Sequence, residues 1–145
     1  QMAKTTAEKI VLISIHPEFV NAILQGTKKV EFRKTRFASR ISHVVVYATT
    51  PTKKVVCTFE VSKIVIEEPT NLWQMYSDVA GISKKSFFAY YKKSDYGVAI
   101  EVGALQRFNR QLSLSDLGYS LTPPQSYQYL DRKILERLEG RVLVE

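Results

Sequence analysis

Apolar residues fall along this chain in short runs and in two periods, and the switch between the periods lays out the elements. Val11 to Ile15 is a short apolar run that reads as a buried strand. His16-Pro17-Glu18 then opens a helix, with Pro17 suited to a first helical position where a missing N–H has no partner to lose. Phe19, Val20, Ile23 and Leu24 recur at helical spacing, and Gly26 is placed to stop the helix. From Lys29 to Arg33 the period becomes two: Val30 and Phe32 face inward, and Lys29, Glu31 and Arg33 face the other way. A polar connection over residues 36–42 leads to the β-branched strand Val44-Val45-Val46-Tyr47, which ends at Thr49-Thr50-Pro51. A long strand pattern follows from Val55 to Ile66, with apolar residues at 55, 57, 59 and 61 and a break of phase near Ser62 that predicts a bulge.

Beyond a boundary at 67–71, Leu72, Trp73, Met75, Tyr76 and Val79 repeat at helical spacing up to Gly81. Ser83 is a good N-cap for a helix carrying Phe87, Phe88, Tyr90 and Tyr91. Tyr96 to Val102 reads as a strand, with Phe108 to Leu112 as its continuation or partner. Pro123-Pro124 breaks the chain, and the spacing of Tyr127, Leu130, Ile134 and Leu138 predicts a helix over 126–138, stopped by Gly140 and followed by a last strand or docked tail at Val142-Leu143-Val144. Residues 1–10 are polar and are expected to be a disordered N-terminal segment, with Gln1 ahead of Met2 as a remnant of expression; residues 11–145 form one domain. About six strands and three or four helices in segregated blocks give an α+β fold with a mixed sheet or small barrel rather than a doubly wound parallel sheet.

Composition narrows the chemistry. A chain of 145 residues, 45% of them apolar, can bury a core without staples. Its one cysteine, Cys57, lies in an apolar run and reads as an inert buried thiol; with only two histidines present, no zinc site is expected, and no metal or cofactor is called for. A reducing cytoplasm, no membrane association and a monomer are the expectations. No glycine-rich phosphate loop or Ser-His-Asp order is present. The net charge of +7 is concentrated: residues 28–54 hold eight basic groups (Lys28, Lys29, Arg33, Lys34, Arg36, Arg40, Lys53, Lys54) against the single acid Glu31, leaving thirteen of each sign elsewhere. A polyanionic partner meeting that window is the functional reading of such an asymmetry.

Within the window, Glu31 and Arg33 are two apart on a strand and share a face. The carboxylate can hold the guanidinium or accept hydrogen bonds from a base, and the guanidinium can grip phosphate or stack on a base. Lys28 adds a compact charge at the strand entrance. Tyr47 and Thr49, taken to lie on the adjacent strand, offer an aromatic platform and a hydroxyl, and His16 stands at the nearby helix start. Lys29, Lys53 and Lys54 complete the candidate RNA- or ligand-binding set. By spacing alone, an ion pair across the open end of a barrel is the favoured reading of Glu31 and Arg33; the surrounding positive window and the family resemblance of the segment turn the balance toward function.

The segment Gly26-Thr27-Lys28-Lys29-Val30-Glu31-Phe32-Arg33 resembles the signature of ASCH domains, a branch of the PUA-like superfamily: a glycine, a lysine two residues on, then Glu and Arg alternating along a strand. Ile15-His16-Pro17, Tyr47 to Pro51, Tyr96-Gly97-Val98-Ala99-Ile100 and Pro123-Pro124-Gln125-Ser126-Tyr127 appear in the matching order, the last resembling a segment of relatives regarded as transcriptional regulators. The resemblance implies a PUA-like mixed β-barrel or sheet with flanking helices. It also implies a cleft lined by Lys28, Glu31 and Arg33 that binds RNA or a nucleotide-like small molecule, in a role tied to transcription or translation, and a separate helix-turn-helix or acetyltransferase protein as a partner. The alternative from the same resemblance is an amidohydrolase acting on N4-acetylcytidine, with Lys28 and Glu31 as its catalytic pair. There the chain departs from the pattern, since Glu31 stands where such enzymes carry a threonine, and residues 76–86 hold no secure counterpart of their catalytic glutamate.

Trp73, Met75 and Tyr76 can be read as a stacking platform, but their helical spacing favours core packing. Gln125 and Ser126 can read a base edge or cap a helix.

Overall fold

The computed structural model of the chain describes residues 8–118 and 122–140. Six strands form one sheet in the order β2-β5-β4-β3-β1-β6. They are β1 (Lys9–Ile15), β2 (Val30–Arg33), β3 (Ile41–Ala48), β4 (Lys54–Glu67), β5 (Gly97–Leu112) and β6 (Tyr127–Leu130). Four helices pack around them: α1 (Pro17–Gln25), α2 (Pro69–Tyr76), α3 (Lys84–Tyr90) and α4 (Lys133–Glu139). The α+β reading therefore holds. The sheet is not closed into a barrel: among the described residues β2 and β6 are its two edges, and no ladder joins them.

The first strand begins at Lys9, and Ile10 is fully buried, so the ordered domain starts ahead of the expected boundary at 11. The rest of the presumed disordered segment, residues 1–7, and the expected tail strand at 142–144 lie outside the described residues.

The apolar runs of β1 and β3 do not alternate because both faces are covered. Val11, Ile13 and Ile15 of β1 join Val44, Val46 and Ala48 of β3 in one cluster, which Val20 and Ile23 of α1 complete. Ile10 and Leu12, with Val45 and Tyr47, enter a second cluster on the opposite face, closed by Ile134 and Leu138 of α4. A third cluster forms where Val30, Phe32 and Ala99 meet Leu72, Tyr76, Phe87 and Tyr91 from the α2–α3 segment. Cys57 sits in the first cluster, where burial pushes its thiol up to about 12, so it stays protonated and inert.

Strands β1 and β3 pair in parallel, which needs a crossover, and α1 with β2 supplies it. Strands β4 and β5 form a long antiparallel pair whose register shifts at three places, one of them across Ser62, as the phase break predicts. β5 runs unbroken from Gly97 to Leu112, so Phe108 to Leu112 is a continuation and not a partner. One element is misread by spacing: residues 127–130 form a strand antiparallel to β1 rather than the start of a helix. The three-residue step from Tyr127 to Leu130 fits a helix, but β1 leaves a row of backbone groups that only a strand can pair. The helix starts at Lys133 and keeps the predicted Ile134–Leu138 face.

Ser83 caps α3 as its sequence predicts, its Oγ accepting from the Ser86 amide at 3.1 Å. Ser83→Ala is expected to cost about 1 kcal/mol, seen as a lowered urea midpoint with unchanged m-value.

Candidate functional site

The site lies where the two sheet edges approach without pairing. Arg33 at the end of β2 donates through Nη2 to the Ser126 carbonyl at 3.0 Å, just ahead of β6. The Ala38 amide donates to the Tyr129 hydroxyl at 3.1 Å, and the Phe37 and Tyr127 rings meet edge to face with centroids 4.7 Å apart. Side chains thus bridge a seam that backbone does not close. A cleft of about 420 Å³ opens there, walled by β2 and its following loop, the start of α1, Tyr90 of α3, and the strand entrance at Gln125 and Ser126.

Local sequence explains how three functional groups reach it. Gly26 ends α1 in the left-handed conformation (φ 82°) and turns the chain toward β2. Val30 and Phe32 anchor β2 in the third cluster, with Phe32 also lining the cleft beside Lys28, and the alternation puts Glu31 and Arg33 on the other face of the strand, where both line the cleft. Their carboxylate and guanidinium lie 3.3 Å apart. The Arg33 carbonyl is held by the Tyr91 hydroxyl at 2.8 Å, so α3 fixes the end of the strand that carries the guanidinium.

Lys28 comes from below this strand. Its side chain is only 3% exposed; Nζ donates to the Ala80 carbonyl at 2.6 Å and lies 5.2 Å from the ring centroids of both Phe19 and Phe32. Burial holds its pKa below the ordinary lysine value, and the charge of Glu31 opposes that shift. The lysine therefore gives up a proton more readily than a solvated one. Glu31, 6% exposed, is a buried carboxylate balanced by two cations.

Of the residues singled out in the sequence, Lys28, Glu31, Arg33 and His16 line the cleft, and so do Gln125 and Ser126. Thr49 does not line it but stands at its rim, its Oγ1 3.4 Å from His16 Nδ1. Tyr47 is misplaced by the sequence reading. β3 is not beside β2 but three positions away in the sheet, and Tyr47, 5% exposed, packs in the second cluster with no ring face to offer. Lys29 is exposed and outside the cleft, its amide tied to the Val79 carbonyl. Lys53 lies in the turn between β3 and β4 and Lys54 opens β4, paired with Ala48, both outside the cleft lining. Trp73 packs on Phe87 in the third cluster, as its spacing predicts.

Among the cleft residues that the sequence reading missed are Ser14, Phe19, Phe32, Ile82, Phe87 and Tyr90. Ser14 had a signal, being the one polar residue in the apolar run of β1; its Oγ donates to the Pro124 carbonyl at 2.7 Å and fixes the far lip. Gly81 was read only as a helix stop. Its φ of 62° and its contact with the Lys28 side chain make it part of the site's frame.

Three comparisons bear on this arrangement. The family model for the ASCH domain matches residues 13–106, which include Lys28, Glu31 and Arg33 but not Gln125 and Ser126. The chain is 30% identical over 134 residues, 90% of each chain, to a Zymomonas mobilis protein named ASCH domain-containing ribonuclease. The crystal structure of ASCH from Zymomonas mobilis superposes with a TM-score of 0.83 at 28% identity, covering 93% of this chain and 96% of that one. The chain is also 33% identical over 132 residues to a Ureaplasma parvum protein named large ribosomal subunit protein uL22; the match takes in 90% of this chain and 42% of that protein's length. None of these relatives bears the name of a transcriptional regulator. A family model covering well over half of the sequence, and a relative matched along nearly its whole length, place this chain in the ASCH domain family.

Proposed function

We propose that the chain binds single-stranded RNA in this cleft and cleaves it by attack of a ribose 2′-hydroxyl on the adjacent phosphorus. The observation that carries the reading is the convergence of Lys28, Glu31 and Arg33 on one cleft of nucleotide size, two of them almost fully buried. The name of the Zymomonas mobilis relative, a ribonuclease, supports the reaction class.

Each group has a role suited to its surroundings. Arg33 presents a fixed fork to the phosphate, because Glu31 and Ser126 hold it from two sides. Glu31 is an acceptor positioned to take the 2′ proton as the 2′-oxygen bonds to phosphorus. Lys28, with its lowered pKa, delivers a proton to the departing 5′-oxygen and offsets charge on the phosphorane. The products are a 2′,3′-cyclic phosphate and a 5′-hydroxyl. Gln125 and Ser126 supply amide and hydroxyl groups to a base edge.

The test uses a 2′-O-methyl RNA strand carrying one unmodified ribose. Cleavage is expected only at that ribose, leaving the cyclic phosphate, and the fully methylated strand is expected to bind uncut. Arg33→Ala should weaken binding of the uncut strand by about 1–3 kcal/mol, about five- to 150-fold. Wild-type affinity in Arg33→Ala at moderate salt would remove the site assignment. N4-acetylcytidine serves as the competing substrate: Lys28-dependent release of cytidine and acetate would replace this reading with the amidohydrolase one.

A further inference from the structure

The cleft holds about one nucleotide, yet its cationic lip continues past it. After Arg33 the chain leaves β2 through Lys34 and Arg36. Lys34 Nζ lies over the Tyr90 ring, 4.6 Å from its centroid, and the Arg36 guanidinium carbon lies over Tyr96 at 5.1 Å. With the two Lys28 contacts, this makes four cation–aromatic pairs among the described residues, against about two expected for a chain of this size. All four use cations from residues 28–36. The segment is therefore organised around rings rather than around acids: the one ion pair among the described residues is Arg33–Glu31, and neither Lys34 nor Arg36 has a carboxylate within ion-pair distance.

Tyr90 is 36% exposed and lines the cleft mouth with Lys34 and Thr35, whereas Arg36 and Tyr96 lie outside the cleft lining. Lys34 and Arg36 are two residues apart, at most about 7 Å of chain, one step of an extended nucleic-acid strand. Arg36 is exposed and Tyr96 half-buried, packed against the first core cluster, so the ring backs a guanidinium whose outer side is free. Proteins that hold single strands use this combination, a ring or guanidinium plane for each base with a cation for each phosphate. The opposite exit, past His16 and Thr49 toward Lys53, carries charge but no such ring pairs.

We infer that Arg36 on Tyr96 forms a further nucleotide subsite two steps from the cleft, reached over Tyr90 and Lys34, so that the strand leaves the cleft along the loop after β2. The base next to the one in the cleft stacks at Tyr90, displacing the Lys34 ammonium onto its phosphate. The following base lies on the Arg36 plane, and its phosphate meets the edge of the same guanidinium. This inference rests on the proposed RNA reading and adds a direction and a footprint to it.

The experiment compares 2′-O-methyl adenosine monophosphate with 2′-O-methyl tetra-adenylate. Wild type is expected to prefer the tetranucleotide. Arg36→Ala should leave monophosphate binding unchanged, weaken the tetranucleotide about three- to tenfold, and lower the log–log salt slope by about 0.7, the share of one phosphate contact on a single strand. A 2-aminopurine placed two steps from the anchored base should be quenched on binding to wild type and to Tyr96→Phe, and stay bright with Tyr96→Leu. If Arg36→Ala and Tyr96→Leu bind the tetranucleotide as wild type does, the subsite is wrong while the cleft stands. Equal losses for both ligands in Arg36→Ala would put Arg36 in the first subsite and overturn the inference. Failure of wild type to bind either ligand would overturn both readings together.

Discussion

Lys28→Met is expected to abolish RNA cleavage and at the same time make the protein more stable. The lysine is buried beside two phenyl rings with one carbonyl as its hydrogen-bond partner, and its ammonium has lost most of its hydration. Methionine has similar length, packs well against rings and carries no charge to desolvate. Because desolvation of the Lys28 ammonium outweighs its attraction to Glu31, and Arg33 stays paired with that carboxylate, losing the lysine charge strands no unpaired ion and stabilises the fold by about 1–2 kcal/mol, or about 3 °C in Tm per kcal/mol. The catalytic loss should be at least about 10²-fold, the usual contribution of a positioned proton donor. The pH dependence separates this from a generic packing gain. Lys28 binds its proton less tightly in the folded chain than in the unfolded one. Between the two pKa values the unfolded chain holds more protons, so wild-type stability climbs with pH across that window. The penalty is complete below the folded-state value and gone above the ordinary lysine value. Lys28→Met lacks the penalty and the climb, so its advantage over wild type should shrink as pH rises through the window. Urea midpoints taken at several alkaline pH values check this; a constant advantage would mean that the lysine carries no such penalty.

That trade of stability for chemistry explains why part of the site was readable from the sequence. Glu31 and Arg33 alternate with Val30 and Phe32, so pattern alone puts the charged pair on one face and its anchors on the other. Tyr47 fails by the same logic. β3 is buried on both sides, so its alternation separates Val45 and Tyr47 from Val44 and Val46 without saying which face leads to a cleft. The second wall was invisible for a different reason. Ser126 meets Arg33 from 93 residues away, and Tyr90 arrives on a separate helix; no local period encodes such meetings. Residues 127–130 became a strand because β1 needed an edge partner, a tertiary demand that overrode a helical spacing. Lys29 shares the parity of Glu31 but lies one residue ahead of the β2 ladder, where the alternation no longer binds it.

Gly81→Ala should be the most damaging single methyl near the site, and Gly26→Ala shows why. Both glycines have positive φ, 82° at Gly26 and 62° at Gly81, a conformation that costs an L-residue about 1–2 kcal/mol. At Gly26 an added Cβ meets nothing within 4 Å, so conformational strain is the whole effect. At Gly81 it would sit 2.5 Å from Lys28 Cβ, 2.6 Å from Cγ and 2.9 Å from Cδ. The near end of a side chain cannot swing clear as its tip can, so either β2's entrance or the Ala80–Gly81 backbone must move. The Ala80 carbonyl that receives the Lys28 ammonium moves with it. Overpacking of this kind adds about 1–3 kcal/mol to the strain, and a displacement near 1 Å at a reacting group costs about 10²-fold in rate. The two variants should therefore separate. Gly26→Ala loses about 1–2 kcal/mol and keeps cleavage close to wild type, since Gly26 touches none of the three reacting groups. Gly81→Ala loses about 2–5 kcal/mol and most of its cleavage, even when assayed well below its own Tm, where the chain is folded. Single-turnover cleavage of the one-ribose strand at such a temperature, with folding verified by near-UV circular dichroism, makes the comparison. Full activity in folded Gly81→Ala would mean that Lys28 works without the carbonyl and the close backbone approach that hold it here.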